Sequence, residues 1–284
     1  MYYLPLLGAL ALAGGIVLQK LNLKKKKVDI KSYQTAEFFA IFLVMLPIIY
    51  FFWKLSPEAL DAKNIFIFSL VIIFSIIANL FTFYSMKWAK VSNIEPAKML
   101  EPVFTILLAI IFSFIFGEVL FERNTKIIIP ALIAGAALLF SHIEKDHLKF
   151  SKYFIAAAVG SFFFALELVI SKLILEFYSP ISFYFIRCTA IFLISLIIFK
   201  PNLKEFGNKL KLRILAIGAI WVVYRVVIYY GYQNLGVIFT TLMIMLGPIF
   251  VYLFAWKFLK EKINRRNIIA SIIIIGCVLY AVLG

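Results

Sequence analysis

Apolar residues fall into ten runs separated by short polar connectors, at roughly 2–20, 35–54, 64–86, 93–117, 126–141, 151–175, 180–200, 211–233, 236–258 and 266–283. A helix needs about 20 mostly apolar residues to cross the hydrocarbon of a bilayer. The pattern therefore predicts an all-α integral membrane protein of ten transmembrane helices, the fifth a short one. The longest connectors are Leu21–Gln34, with its Lys24–Lys27 run, and the segments His142–Lys149 and Pro201–Leu210, none large enough for a soluble domain. The first run, Tyr2 to Leu18, lacks a basic leader and ends in lysines rather than a small-residue cleavage site, so it is expected to stay as a helix.

One stretch breaks the pattern. Glu95-Pro96-Ala97-Lys98-Met99-Leu100-Glu101-Pro102 puts three charges and two prolines at the start of the fourth run, where each charge is costly. Its continuation is echoed 146 residues later: Pro102-Val103-Phe104 to Ala109 and Pro248-Ile249-Phe250 to Ala255 share the pattern Pro-[Val/Ile]-Phe-x-x-Leu-x-Ala. Ile16–Leu21 likewise matches Leu168–Leu173 at an offset of 152, Tyr84 corresponds to Tyr230, and Asn79 to Arg225. The chain reads as a duplication, 1–146 and 147–284, with five spans in each copy. An odd number of spans makes the second copy enter the membrane from the opposite side. The expected architecture is two inverted-topology five-helix repeats, an arrangement that in secondary transporters puts the substrate near the midplane between repeats.

Composition excludes a soluble domain: 64% of residues are hydrophobic, 15% are charged, and the mean hydropathy is +1.02. The net charge of +15 does not point to nucleic acid, because the 29 Lys and Arg lie almost entirely in connectors. Connectors 1, 3, 5, 7 and 9 hold 21 of them and connectors 2, 4 and 6 hold 5, leaving Lys98, Arg187 and Arg225 inside the membrane. The positive-inside rule then puts the odd connectors in the cytoplasm and both termini outside, in a multi-pass protein of the plasma membrane. Cys188 and Cys277 lie in apolar runs and read as small buried residues. His142, Glu144, Asp146 and His147 share a charged connector without metal-ligand spacing, so neither a metal nor a cofactor is expected.

Phe83-Tyr84-Ser85-Met86-Lys87-Trp88, Val91-Ser92, Pro102-Val103-Phe104 and Gly117-Glu118 resemble the drug/metabolite transporter superfamily, in its EamA-type ten-helix branch. Tyr229-Tyr230-Gly231-Tyr232, Gly247-Pro248-Ile249-Phe250, Lys260-Glu261 and Gly276 carry the same resemblance in the second half, and Arg187 matches an arginine often found in the seventh helix. The chain departs from the family where the second helix often holds arginine: Glu37 stands there. The resemblance implies secondary transport of small organic metabolites by alternating access, and relatives are believed to keep both termini inside, against the charge count.

Candidate substrate-binding residues are those whose polarity the membrane does not explain. Glu95, Lys98 and Glu101 recur at i, i+3 and i+6 on one face; they either satisfy one another or line a cavity. Glu167 lies mid-span where the first copy has Gly15, and either binds substrate or partners Arg187 or Arg225. Arg225, beside Trp221, Tyr224, Tyr229 and Tyr230, can grip a carboxylate with its planar fork. Asn79 and Tyr84 join them as repeat equivalents, and Pro96, Pro102 and Pro248 are candidate hinges. Small residues at Ala131/Gly135 and Ala156/Gly160 allow close helix approach. Both signs of charge suit a zwitterion such as an amino acid. The expectation is thus an exporter and not an enzyme, monomeric or weakly homodimeric, with protons as a candidate coupling ion. The alternative is an intramembrane enzyme or flippase acting on a lipid-linked substrate.

Overall fold

The computed structural model describes residues 4–23, 28–89, 97–117, 124–142, 151–202, 206–250 and 265–283, and structural statements concern these. They are nearly all helical: α1 (Leu4–Leu23), α2 (Ile30–Phe52), α3 (Ala62–Trp88), α4 (Leu100–Phe116), α5 (Thr125–His142), α6 (Lys152–Lys172), α7 (Pro180–Phe199), α8 (Asn208–Asn234), α9 (Val237–Ile244) and α10 (Arg265–Leu283). Seven of these, α1, α2, α3, α6, α7, α8 and α10, are long and apolar enough to cross a membrane, and the apolar helices Leu100–Phe116, Thr125–Ser141 and Val237–Phe250 are shorter. The chain is a multi-pass membrane protein. Glu95, Pro96, the Lys24–Lys27 run, Val91-Ser92, Glu118, Glu144, Asp146, His147, Lys260 and Glu261 lie outside the described residues.

Local chemistry fixes where these helices begin. Asp29 accepts from the Ser32 amide at α2, Ser151 from Phe154 at α6, and Ser179 from Ser182 at α7, where Pro180 occupies the first turn. Each cap satisfies a backbone donor that hydrocarbon would leave bare. α2 starts at Ile30, earlier than its apolar run. The difference is physical: Ser32, Gln34, Thr35 and Glu37 are polar yet buried against neighbouring helices, so hydropathy misses this first part. Glu37 consequently stands about two turns inside the helix. α9 is interrupted at Met245–Leu246 and helix resumes at Gly247-Pro248.

The packing has an internal regularity. The two most extensive interfaces are α3 on α6 and α1 on α8, followed by α5 on α10 and α2 on α7. Exchanging α1–α5 with α6–α10 converts the first pair into the second and maps the other two onto themselves. Side chains follow the same rule. Tyr33 meets Phe83 edge-to-face at 5.4 Å, and Phe183 meets Tyr229 edge-to-face at 4.9 Å, in corresponding positions on α2/α3 and α7/α8. Gly160 permits the α3–α6 contact, since a Cβ there would stand 2.6 Å from Thr82 Oγ1 and 3.2 Å from the Ala78 carbonyl. Where α2 and α6 end, the following turns are laced together. Leu55 and Tyr178 form an isolated antiparallel bridge, with Ser56 N donating to the Phe177 carbonyl (2.9 Å) and Ser179 N to that of Lys54 (3.3 Å).

Candidate functional site

The helices enclose a cavity of about 790 Å³ lined from α1, α2, α3, α5, α6, α7 and α8 and from the segments around α4 and α9. That size suits a small organic ligand. Of the residues predicted from sequence, Lys98, Glu101, Asn79, Arg187, Arg225 and Trp221 line it, as do Pro102 and Pro248. Glu167, Tyr84, Tyr229 and Tyr230 do not, and Glu95 and Pro96 are outside the described residues. Tyr84 instead packs against Tyr153, ring centroids 5.7 Å apart, and Tyr230 is half-buried elsewhere on α8. Pro102 sits in the first turn of α4, where its missing N–H interrupts no helical bond.

Glu167 and Tyr229 stand directly behind the arginines. The fully buried Glu167 carboxylate places Oε1 3.1 Å from Arg187 Nη1 and Oε2 3.2 Å from Arg225 Nη1. Tyr229 donates to Oε1 (2.8 Å) while accepting from Arg187, and the second Arg187 amino group donates to Ser75 Oγ (2.5 Å). Ser171 adds a bond to Oε1 (3.3 Å). Arg187 is held by hydrogen bonds on several sides. Arg225 is held differently, over the rings of Phe164 (5.3 Å) and Tyr224 (5.7 Å), and its Nη1 makes no hydrogen bond despite its closeness to Glu167. Two guanidiniums thus share the one carboxylate of Glu167. Glu101 lies within electrostatic reach of Arg225, Lys98 and Glu167.

A second polar group lies toward the opposite ends of α1 and α2, and sequence reasoning gave it no role. Gln19 donates its single amide nitrogen to both oxygens of Glu37 (2.9 and 3.1 Å), and both residues line the cavity while almost fully buried. Tyr33 and Trp221 approach the same carboxylate, the indole packing flat enough on Gly15 that a Cβ there would lie 3.2 Å from the ring. The signal that could have found Glu37 was the one acid replacing a family arginine; its place near the start of an apolar run disguised it as an interfacial residue. Tyr184, Tyr224 and Tyr232 also line the cavity; the sequence had noted Tyr224 beside Arg225 and Tyr232 in the family motif, but in a chain with 14 tyrosines nothing pointed to Tyr184.

Residues 151–283 match the model of the EamA-like transporter family. In fold the chain is similar to a crystal structure described only as that of a protein, at 15% identity and a TM-score of 0.72, the match covering 99% of this chain and 97% of the other. No curated protein matches the sequence.

Proposed function

We propose that this chain, whose residues 151–283 match the EamA-like transporter family, is a secondary transporter exporting small zwitterionic metabolites, amino acids foremost. It works by alternating access between two inverted five-helix repeats, 1–146 and 147–284, that cross the plasma membrane ten times in all. The observation that carries this reading is the cavity itself. It is roomy, buried between helices of both halves, and lined by cationic and anionic side chains that a bilayer protein has no packing reason to keep. The exchange of α1–α5 with α6–α10 in the helix packing supports the inverted repeat. Arg225 is the group that receives the substrate carboxylate. It lines the cavity, and its flat faces rest on Phe164 and Tyr224, which orients the fork for a two-pronged contact.

Proteoliposome counterflow over a panel of amino acids, amines and organic acids tests the function. Saturable exchange of at least one zwitterion, abolished by Arg225→Ala and reduced by Glu101→Gln, is expected. Fluxes at empty-liposome rates across the whole panel would sink the reading.

A further inference from the structure

Glu37 is a buried carboxylate without an ionic partner among the described residues: the two ion pairs there both belong to Glu167. Gln19 donates one nitrogen to both of its oxygens, and Tyr33 and Trp221 also approach it. Around it, polar atoms that ought to be satisfied are not. Asn22 is fully buried with both its amide nitrogen and oxygen unpaired, and Tyr33 OH and Trp221 Nε1 are buried without a hydrogen bond. Tyr33 faces Asn22 as well as Glu37. Asn22 and Tyr33 lie behind the cavity wall, whereas Glu37, Gln19 and Trp221 line it, so these three are the groups a ligand can reach.

The chemistry of this part of the cavity can be read from its donors and acceptors. Gln19 spends its N–H on the carboxylate, so its carbonyl remains an acceptor beside the cavity. Glu37 supplies negative charge, and the Trp221 indole lining the same wall offers a π face to a cation. Acceptors, one negative charge and an aromatic face together fit a protonated amine, with its three donors and compact charge.

Position adds a second argument. Glu37 and Arg187 occupy corresponding places in α2 and α7, 150 residues apart, as the paired Tyr33–Phe83 and Phe183–Tyr229 contacts place them. Arg187 reaches Ser75 on α3, and Glu37 is approached by Trp221, the residue of α8 that corresponds to Ser75. One scaffold position, used twice, thus carries a cation on α7 and an anion on α2, both lining the cavity.

We infer that Glu37, with Gln19 and Trp221, forms an ammonium-binding subsite at the end of the cavity opposite the arginine pair. This deepens the transport reading and rests on it: the arginine end takes the substrate's carboxylate and the Glu37 end its amine.

The test uses purified full-length protein in detergent and a panel of L-amino acids, each with its decarboxylated amine and its deaminated acid; for leucine these are 3-methylbutylamine and 4-methylpentanoate. Dissociation constants are read from ligand-induced thermal shifts for the wild type, Glu37→Gln and Glu37→Asp. Losing a charge-assisted contact weakens binding by about 10- to 100-fold. Glu37→Gln is expected to show that loss for amino acids and amines, with acids bound as before, and Glu37→Asp to restore part of it. Equal weakening of acids and amines overturns the inference, as does unchanged amine affinity in Glu37→Gln or a panel in which no amine binds the wild type. Counterflow that persists in any of these cases leaves the transport reading standing, and amine binding without counterflow removes transport while keeping the subsite.

Discussion

Replacing Glu167 with glutamine isolates the electrostatic role of the buried cluster. The carboxamide matches the carboxylate in volume, so no cavity opens, and its oxygen can still accept from Tyr229. What disappears is the single negative charge between Arg187 and Arg225, at 3.1 and 3.2 Å. Removing one partner of a buried ion pair typically costs about 3–5 kcal/mol, because the other charge stays desolvated. Two guanidiniums would be left here, which argues for the upper end. Against this, Arg225 borders the cavity and rests on two aromatic rings, so water and π contacts soften its isolation. The expected loss is about 3 kcal/mol, roughly a hundredfold in the folding equilibrium, measured by reversible SDS titration in mixed micelles. Adding Arg225→Met to Glu167→Gln should recover part of that loss, since one unpaired cation goes with it. A Glu167→Gln protein within about 1 kcal/mol of wild type, or a double variant whose losses simply add, would refute the account of Glu167 as the charge that holds both arginines.

Gly160→Ala is expected to cost about 1–3 kcal/mol by forcing α3 and α6 apart, whereas Gly276→Ala, with nothing within 4 Å of the new Cβ, should lose no stability; the same titration compares them. Joining the Leu55–Tyr178 bridge with a disulfide through Leu55→Cys and Tyr178→Cys should arrest counterflow until reduced, because these turns tie the two halves together at one end. The Cα separation of an antiparallel pair, about 5 Å, lies within disulfide reach, and full exchange by the cross-linked protein would show that this end never opens. In a background without Cys188 and Cys277, an impermeant maleimide on intact cells should label Lys54→Cys and not Lys200→Cys, both exposed positions; the reverse would favour cytoplasmic termini over the charge count.

The membrane class and most helix positions were legible because hydropathy reports on lipid exposure, and runs such as 64–86 and 180–200 are predominantly apolar. The start of α2 was not, because Gln34 and Glu37 face protein rather than lipid, and a sliding average cannot tell a polar residue in water from one in a polar interior. Arg187 and Arg225 stood out in sequence for the same reason that makes them informative: charge has no bland place at such depth. Whether Glu167 served the arginines or the substrate was open in the sequence. Only the folded geometry, which brings α6, α7 and α8 to one point, puts its two oxygens against two different guanidiniums. Tyr84 and Tyr230 illustrate the opposite failure. They are repeat equivalents, but duplication preserves scaffold contacts as readily as binding contacts, and neither reaches the cavity.

The distribution of charge constrains what such a cavity can carry. Arg187, Arg225, Lys98 and Lys20 bring positive charge to its lining and Glu37 and Glu101 negative charge, with Glu167 standing behind the arginines. Lys20 is taken up by the carbonyls of Met86 and Ala89, and Glu101 stands within reach of Arg225 and Lys98, so the groups offered to a ligand are the arginine fork and the Glu37 carboxylate. A lone anion or cation entering the cavity would meet one of these groups and leave the other as a charge in a low-dielectric interior, a burden borne again at each change of conformation. A zwitterion meets both groups and adds no net charge, whichever side of the membrane the cavity faces. Transport of such a substrate should accordingly be indifferent to an imposed potassium-diffusion potential in proteoliposomes. A flux that scales with that potential would mean that a net charge crosses with the substrate, and that the two ends of the cavity do not read the two ends of one molecule.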